Sequence, residues 1–487
     1  MNNPLSKLQP EKIWFYFNEI LQIPRPSKKE EKIAAYLMDF AKSHQLQAKQ
    51  DEIGNVLISK KASNGCENFQ TAVLQSHLDM VCEKNSDKKH DFDNDPIEAR
   101  IEGEWVKANG TTLGGDDGIG IAASLAILAS TDIAHGPLEC LFTVDEETGL
   151  SGAFALSTDL LKGKILLNLD SEDEGEIFIG CAGGKDTVAE IEYTTIPVPE
   201  NNTAYIVKIS GLTGGHSGDD INKGLGNANK LLNRFLWEAD NNYTIHLSEI
   251  NGGNLRNAIP REAFAVFTVA KEKTEALLAD AKKHNEIIRF ELRSTESELE
   301  FSIEACELPK TILNHDIQTK LLNALYACPH GVISMSREIP NFVETSTNLA
   351  SVKMNDGKII VTTSQRSSVE SAKEDICNMV ASVFQLIGAK ITQGDGYPGW
   401  TPNPDSVILE IAKKSYLDLF KKEPKVLAIH AGLECGLIGE KYPEMDMISY
   451  GPTIKGAHSP DERMKIETVQ MFWDLTLDIL KNIPHIK

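Results

Sequence analysis

The sequence predicts an α/β protein: a discontinuous domain with a mostly parallel sheet flanked by helices, interrupted by an inserted α+β domain. Three observations predict it. Short apolar runs closed by polar or Gly-rich residues alternate with helical patterns over residues 1–186, as in parallel α/β sheets. Strand-like alternation such as TVAEIEYTTI, AYIVKISGL and AFAVFTVAK takes over across 187–394. The first pattern resumes near GDGYPGWTPNPDSVILEIAKKSYLDLF and continues through 395–487, so the outer domain is built from both ends of the chain.

Taken in order, PEKIWFYFNEILQIPRPSKKEEKIAAYLMDFAKSHQ reads as two amphipathic helices separated by the turn-prone PRPS. NVLIS, TAVLQSHLDM, LECLFTVDEETG and KILLNLDSED read as strands, and GIGIAASLAILAS as a helix. Sheets of this kind carry their sites beyond the carboxyl ends of strands, which is where the polar tails of these runs fall. In the inserted segment, KTEALLADAKKHNEIIRFE is helical. GGNLRNAIPREAFAVFTVA and PNFVETSTNLASVKMNDGKIIVTTSQR share an irregular polar lead followed by a strand, a hint of internal duplication.

Composition narrows the function. A length of 487 residues suits two or three domains. Lys and Arg number 49 against 71 Asp and Glu, and the net charge of -22 argues against nucleic acid or an anionic membrane as partner. The eight cysteines lack CxxC spacing and read as reduced, mostly buried thiols, which points to a cytoplasmic protein. The N-terminal residues lack a signal-peptide pattern, and no run of about 18 apolar residues suggests a membrane span.

Five stretches carry chemistry. His77 and Asp79 close TAVLQSHLDM two residues apart, so both can lie on one face. A carboxylate behind an imidazole fixes its tautomer and raises its basicity as a ligand, although an ordinary surface histidine accounts better for HLD alone. Asp116 and Asp117 lie between glycines before a helix. Helix capping explains one of them but less readily two. FTVDEETGL places Glu146 and Glu147 where a strand stops, and Asp170 follows KILLNL in the same way. His458 lies in a Gly-Ala-His-Ser-Pro loop. Two histidines and several carboxylates at strand ends and in Gly-rich loops suit zinc, or less specifically manganese or cobalt, with one carboxylate shared by two ions.

SHLDMVCEK, TTLGGDDGIG, DEETGLSGA, NLDSEDEGEIFIGCAGG, GGHSGDDI, GGNLRNAIPRE, HAGLECGL and GAHSPDER occur in that order. Together they resemble the M20 family of metallopeptidases, most closely its aminoacyl-histidine (Xaa-His) dipeptidase branch, over nearly the whole chain. The resemblance implies a catalytic domain (1–186 and 395–487) with a lid domain (187–394), and two zinc ions, with Mn2+ or Co2+ as substitutes. His77 and Asp170 would hold one ion, Glu147 and His458 the other, and Asp116 both. Asp117 would be left as a loop or helix-capping residue, and Asp79 would orient His77. Glu146 matches the general base, and His216 of GGHSG the lid residue that donates to the oxyanion. Asn257 and Arg366 resemble lid residues that contact substrate, with Arg256, Arg261 and Arg337 as rivals for the substrate carboxylate. Glu434 lies near the site by motif, without a role. The implied activity is hydrolysis of unblocked dipeptides, Xaa-His and carnosine-like ones favoured. An amidohydrolase of the same architecture and a non-catalytic metal-binding assembly protein are the alternatives, and a homodimer through the lid is a further expectation.

Overall fold

The structure is a computed structural model that describes residues 4–486. The chain divides into two compact units, one formed by 1–180, 400–428 and 433–487, the other by 181–399 and 429–432. The second unit begins and ends a few residues outside 187–394. Gly183–Glu192 already pairs along its length with Lys358–Ser367, and the Gly184 amide donates to the Tyr397 carbonyl at 3.1 Å.

The first unit is organised around an eight-stranded sheet in the order Gln47–Gln50, Val56–Lys60, Leu138–Thr143, Ala72–His77, Ile165–Asn168, Asp446–Ser449, Glu176–Cys181, Lys425–Ile429. The four strands from Leu138–Thr143 to Asp446–Ser449 are parallel to one another. Gln47–Gln50, Val56–Lys60 and Leu138–Thr143 pair antiparallel, as do Asp446–Ser449 and Glu176–Cys181. The sheet is therefore mixed, and the mostly parallel arrangement expected from the apolar runs holds only at its centre. At the margin, the short turn between Gln50 and Val56 returns the chain as a hairpin, which no crossover helix could do.

The first two helices form at Glu11–Leu21 and Glu31–Ser43, on either side of PRPS. Ile13, Trp14, Phe17, Ile20 and Leu21 of the first are buried, the helical spacing of one apolar face. Gly115–Ala129 is buried on almost every side and packs on both the first helix and strand Ala72–His77. Its Ala-rich sequence permits that enclosure. A four-stranded sheet joins the hairpin Ile454–Lys455/Arg463–Lys465 to Trp105–Ala108 and Ala99–Glu102, with Arg463 opposite Lys107 and Lys465 opposite Trp105. It sets the loop holding His458 beside the strand that leads into GGDD.

The second unit holds a nine-stranded sheet in the order Glu300–Cys306, Asn202–Ser210, Ala263–Ala270, His246–Gly252, Val343–Asn355, Lys358–Ser367, Gly183–Glu192, Lys390–Gln393, with Gly331–Met335 paired to Val343–Asn355. The order contains a duplication. Asn202–Ser210, helix Ala228–Tyr243, His246–Gly252, Ala263–Ala270, helix Thr274–Glu291 and Glu300–Cys306 form a βαββαβ half with strand order 4-1-3-2. Gly183–Glu192, helix His315–Ala327, Val343–Asn355, Lys358–Ser367, helix Glu370–Gln385 and Lys390–Gln393 form another, ordered 2-3-1-4. The halves join through their second strands, Asn251 opposite Lys353 and Gly252 opposite Val352. The first half is inserted between the opening strand and first helix of the second. Of the polar-lead stretches singled out in the sequence, 340–366 covers the second and third strands of its half, whereas 252–270 runs from the last residue of the second strand through the third.

Candidate metal centre

Because Leu138–Thr143, Ala72–His77 and Ile165–Asn168 run parallel and in register, their carboxyl ends line up on one edge. His77 lies opposite Thr143 and Gln75 opposite Asn168. His77 thus closes its strand, Glu146 and Glu147 begin the single turn Glu146–Gly149, and Asp170 lies two residues past Asn168. Asp116 comes from the Gly-rich loop, joined to Asp117 by a cis peptide bond, and His458 from the hairpin of the small sheet.

Asp116 stands between the two histidines. Its Oδ1 is 2.9 Å from His77 Nε2 and its Oδ2 is 3.2 Å from His458 Nε2. His77 Nε2 is also 3.4 Å from Asp170 Oδ1, and His458 Nε2 is 3.0 Å from Glu147 Oε2. Two triads result, His77–Asp116–Asp170 and Asp116–Glu147–His458, sharing one carboxylate. Glu146 forms a third grouping with His77 and Glu147. The neighbours separate the two glutamates: Glu147 reaches His458, whereas Glu146 feels the charge of His77 first and then those of Glu434, Glu147 and Asp116.

These residues fit a pair of divalent cations. Four ligands at about 2.0–2.1 Å around a tetrahedral ion lie roughly 3.3 Å apart, close to the spacings just given. Electrostatics points the same way. Burial and the surrounding carboxylates hold the Glu146 carboxyl well above the usual range, and burial with the Asp116 charge does the same to Asp170. Burial opposes charge on His77, but Asp170 and Asp116 raise it well above an ordinary imidazole, and hydrogen bonds to Asp116 and Glu147 push His458 up to about 11. Protons on the imidazoles thus offset the crowded anions, a part that a divalent cation plays better. Cation uptake at neutral pH should therefore release protons. Calorimetric titration in two buffers of different ionisation enthalpy should give different heats; identical heats would refute protonated imidazoles.

Asp79 does more than orient His77, whose Nδ1 lies 3.3 Å from its Oδ1. It accepts the amides of Glu146 at 3.0 Å and Glu147 at 3.2 Å, and the Ser27 hydroxyl at 2.7 Å. Burial alone would raise its pKa, but the His77 contact and these donors hold it down to about 2. One buried carboxylate fixes the histidine and both glutamates.

Two supporting residues are not legible in the sequence. Arg25 of PRPS is 2% exposed and donates to the carbonyls of Leu78, Asp79 and Gly114 at 2.9, 2.5 and 2.5 Å. Glu462, 2% exposed, accepts the amides of Leu113 and Gly114 on Oε2 at 2.7 and 3.0 Å, and that of Gly115 on Oε1 at 2.7 Å. Both explain the glycines of GGDD: a Cβ on Gly114 would lie 2.7 Å from Arg25 Nη2, and one on Gly115 3.2 Å from Glu462 Oε1. Asp117 accepts the Gly120 amide at 3.0 Å as a helix cap. Glu434 is buried and accepts Gln75 Nε2 at 2.5 Å and Thr143 Oγ1 at 2.7 Å.

The remaining sequence candidates lie in the second unit. Arg366, 7% exposed, donates to the Tyr397 hydroxyl at 3.1 Å and lies 3.4 Å from His216 Nε2. His216 Nδ1 is 3.3 Å from Asp219. Asn257 is exposed and offers its backbone carbonyl to the Ser217 amide at 2.8 Å. Of the rival arginines, Arg256 pairs with Asp186 at the surface, Arg261 donates to the Leu212 carbonyl, and Arg337 is exposed.

Residues 73–482 match the family model described as peptidase family M20/M25/M40. The chain is 45% identical over 480 residues to the cytosol non-specific dipeptidase of Escherichia coli (strain K12), covering 99% of each chain. Among solved structures it resembles the aminoacylhistidine dipeptidase from Vibrio alginolyticus, with a TM-score of 0.95, 44% identity and 99% of each chain covered. A tripeptidase from Staphylococcus aureus, 16% identical with a TM-score of 0.57 over 98% of this chain and 99% of that one, shares the fold. Among the described residues no helix is long and apolar enough to cross a membrane.

Proposed function

Because the chain belongs to peptidase family M20/M25/M40, we propose that it is a dipeptidase that hydrolyses unblocked dipeptides with two divalent cations, zinc with Mn2+ or Co2+ as substitutes. The observation that carries this reading is the pair of His/carboxylate triads sharing Asp116, with Glu146 beside the ligand Glu147. His77, Asp116 and Asp170 would hold one cation, and Asp116, Glu147 and His458 the other. When bound, such cations acidify water and polarise the scissile carbonyl.

Glu146 takes the proton of the attacking water as its oxygen bonds to the carbonyl carbon, and returns it to the amine nitrogen as the C–N bond breaks. Asp79 keeps that carboxylate in place through the Glu146 amide. His216 is assigned the donor to the oxyanion, and Arg366 the fork for the substrate's C-terminal carboxylate. Burial of Arg366 beside His216, with no carboxylate hydrogen-bonded to its guanidinium among the described residues, supports that choice over its rivals. Asn257 is assigned a second polar contact with substrate.

Xaa-His dipeptides, carnosine-like ones included, are assigned as preferred substrates. The V. alginolyticus protein carries that specificity in its name, while the E. coli relative is named non-specific. The test is a zinc-, manganese- or cobalt-reconstituted panel of Xaa-His, other dipeptides and N-acetyl amino acids, read by product analysis. We expect cleavage of free dipeptides with the highest kcat/KM for Xaa-His. Equal values across C-terminal residues would remove the preference, cleavage of only the N-acetyl compounds would make the chain an amidohydrolase, and no cleavage at all would leave a metal-binding protein.

The cytoplasm is the proposed compartment, in keeping with the reduced cysteines and the name of the E. coli relative. A homodimer through the lid would use the outer strands Glu300–Cys306 or Lys390–Gln393, since the second strands of the two halves already pair with each other.

A further inference from the structure

The GGDD loop and the His458 hairpin meet through one side chain. Glu462 accepts three consecutive amides, those of Leu113, Gly114 and Gly115, and a fourth, that of Asp116, approaches Oε1 at 3.5 Å. A carboxylate that collects several backbone donors in a buried place fixes its loop tightly, because each N–H loses a charge-assisted partner if it moves. Glu462 lies four residues after His458, and the intervening turn is itself braced. The Glu462 amide donates to the Ser459 carbonyl at 3.0 Å, and the Ser459 hydroxyl to the Gly456 carbonyl at 2.7 Å. His458, at φ 62°, is half exposed, so little packing holds its ring. The small sheet brings the two loops side by side, but its last pairs are Lys455 with Arg463 and Arg463 with Lys107, outside the loops themselves.

We propose that Glu462 is a positioning residue that sets the separation of His458 from Asp116, and with it the affinity for the second of the two cations. The proposal rests on the two-cation reading above. It says that His77, Asp116 and Asp170 hold their ion nearly as well without Glu462, because His77 is fixed by Asp79 and its own strand, and the GGDD loop keeps the Arg25 bond to the Gly114 carbonyl. The ion shared by Asp116, Glu147 and His458 depends on it.

The test is stepwise Co2+ titration of the metal-free protein, followed by absorbance, with zinc stoichiometry by elemental analysis after dialysis against buffered free zinc. Glu462→Gln should bind the first ion as the wild type does and the second roughly 10- to 100-fold more weakly, the usual range for loss of an outer partner. The weakened step should be the one abolished in His458→Ala. Glu139→Gln serves as a control for lost stability. Glu139 is 5% exposed and clamps the amides of Lys162 and Gly163 at 2.9 and 3.0 Å, near the opposite end of its strand. That variant should keep both steps even where its Tm falls as far as that of Glu462→Gln. Unchanged second-ion binding in Glu462→Gln would overturn the proposal, as would equal weakening of both steps, or the same loss in Glu139→Gln. A wild-type protein that takes up fewer than two ions would instead overturn the reading on which it rests.

Discussion

Glu146→Gln is expected to lower kcat by roughly 10²- to 10⁴-fold, the range for loss of a general base, while the protein still binds two cations. The amide keeps the size of the side chain and cannot accept the proton. The Glu146 backbone amide, which Asp79 holds at 3.0 Å, is untouched, so the Glu147 ligand beside it stays in place. Glu147→Ala should do the reverse and lower metal occupancy first, because its carboxylate is 3.0 Å from His458 Nε2. Turnover and elemental metal content on the same preparations decide the matter. If both variants lost metal equally, the proposed division of labour between the two glutamates would fail. If Glu146→Gln turned over normally with both ions bound, the base would have to be sought elsewhere.

The second large effect belongs to Asp116. Its two oxygens face different histidines at 2.9 and 3.2 Å, so one substitution reaches both triads. Asp116→Ala should lose both cations at free-zinc concentrations that saturate the wild type, and with them essentially all activity. Asp170→Ala and His458→Ala should each retain one. A thermal assay adds a second readout, because a ligand that binds only the folded state raises Tm, with a stabilisation that grows as the logarithm of its concentration relative to Kd. Zinc should raise the Tm of the wild type and leave that of Asp116→Ala nearly unmoved. Retention of one tightly bound ion in Asp116→Ala would show that the carboxylate is not shared.

Much of this centre is legible in the chain because its donors sit where strand patterns end. HLD, DEE and LD each close an apolar run, and GGDD opens a helix, so period and punctuation alone place His77, Glu146, Glu147, Asp170 and Asp116 at or just past strand ends or at a helix start. Pairing order and register are long-range properties, and the parallel alignment that brings the strand ends together can be expected only as a class. The antiparallel margins escape such a reading because their strands are short and partly exposed, and an apolar run does not record the direction of its neighbour. Arg25 and Glu462 escape it for a different reason. Their partners are backbone carbonyls and amides, which every residue possesses, so nothing in the letters marks the recipients. GGDD holds an indirect sign: glycines beside charged residues leave room for something large, here a guanidinium and a carboxylate. The motif gives Asp79 one partner and the fold gives it four, since the amides of Glu146 and Glu147 and the Ser27 hydroxyl share it with His77.

The nesting of the second unit has a consequence for biosynthesis. One βαββαβ half sits inside the other, and both sit inside the first unit, like brackets closed in reverse order. The innermost half can close on the ribosome as soon as Glu300–Cys306 has emerged. Gly183–Glu192, made more than a hundred residues earlier than Lys358–Ser367, must wait for that partner, and Ile165–Asn168 waits longer still for Asp446–Ser449. Contacts so distant in sequence slow folding. His458 is among the last of the proposed ligands to be synthesised, so a nascent chain can offer His77, Asp116 and Asp170 to a cation well before the second triad exists. Stalled chains ending before the hairpin should therefore bind at most one ion and cleave nothing, which keeps an unfinished peptidase silent until the His458 turn is translated.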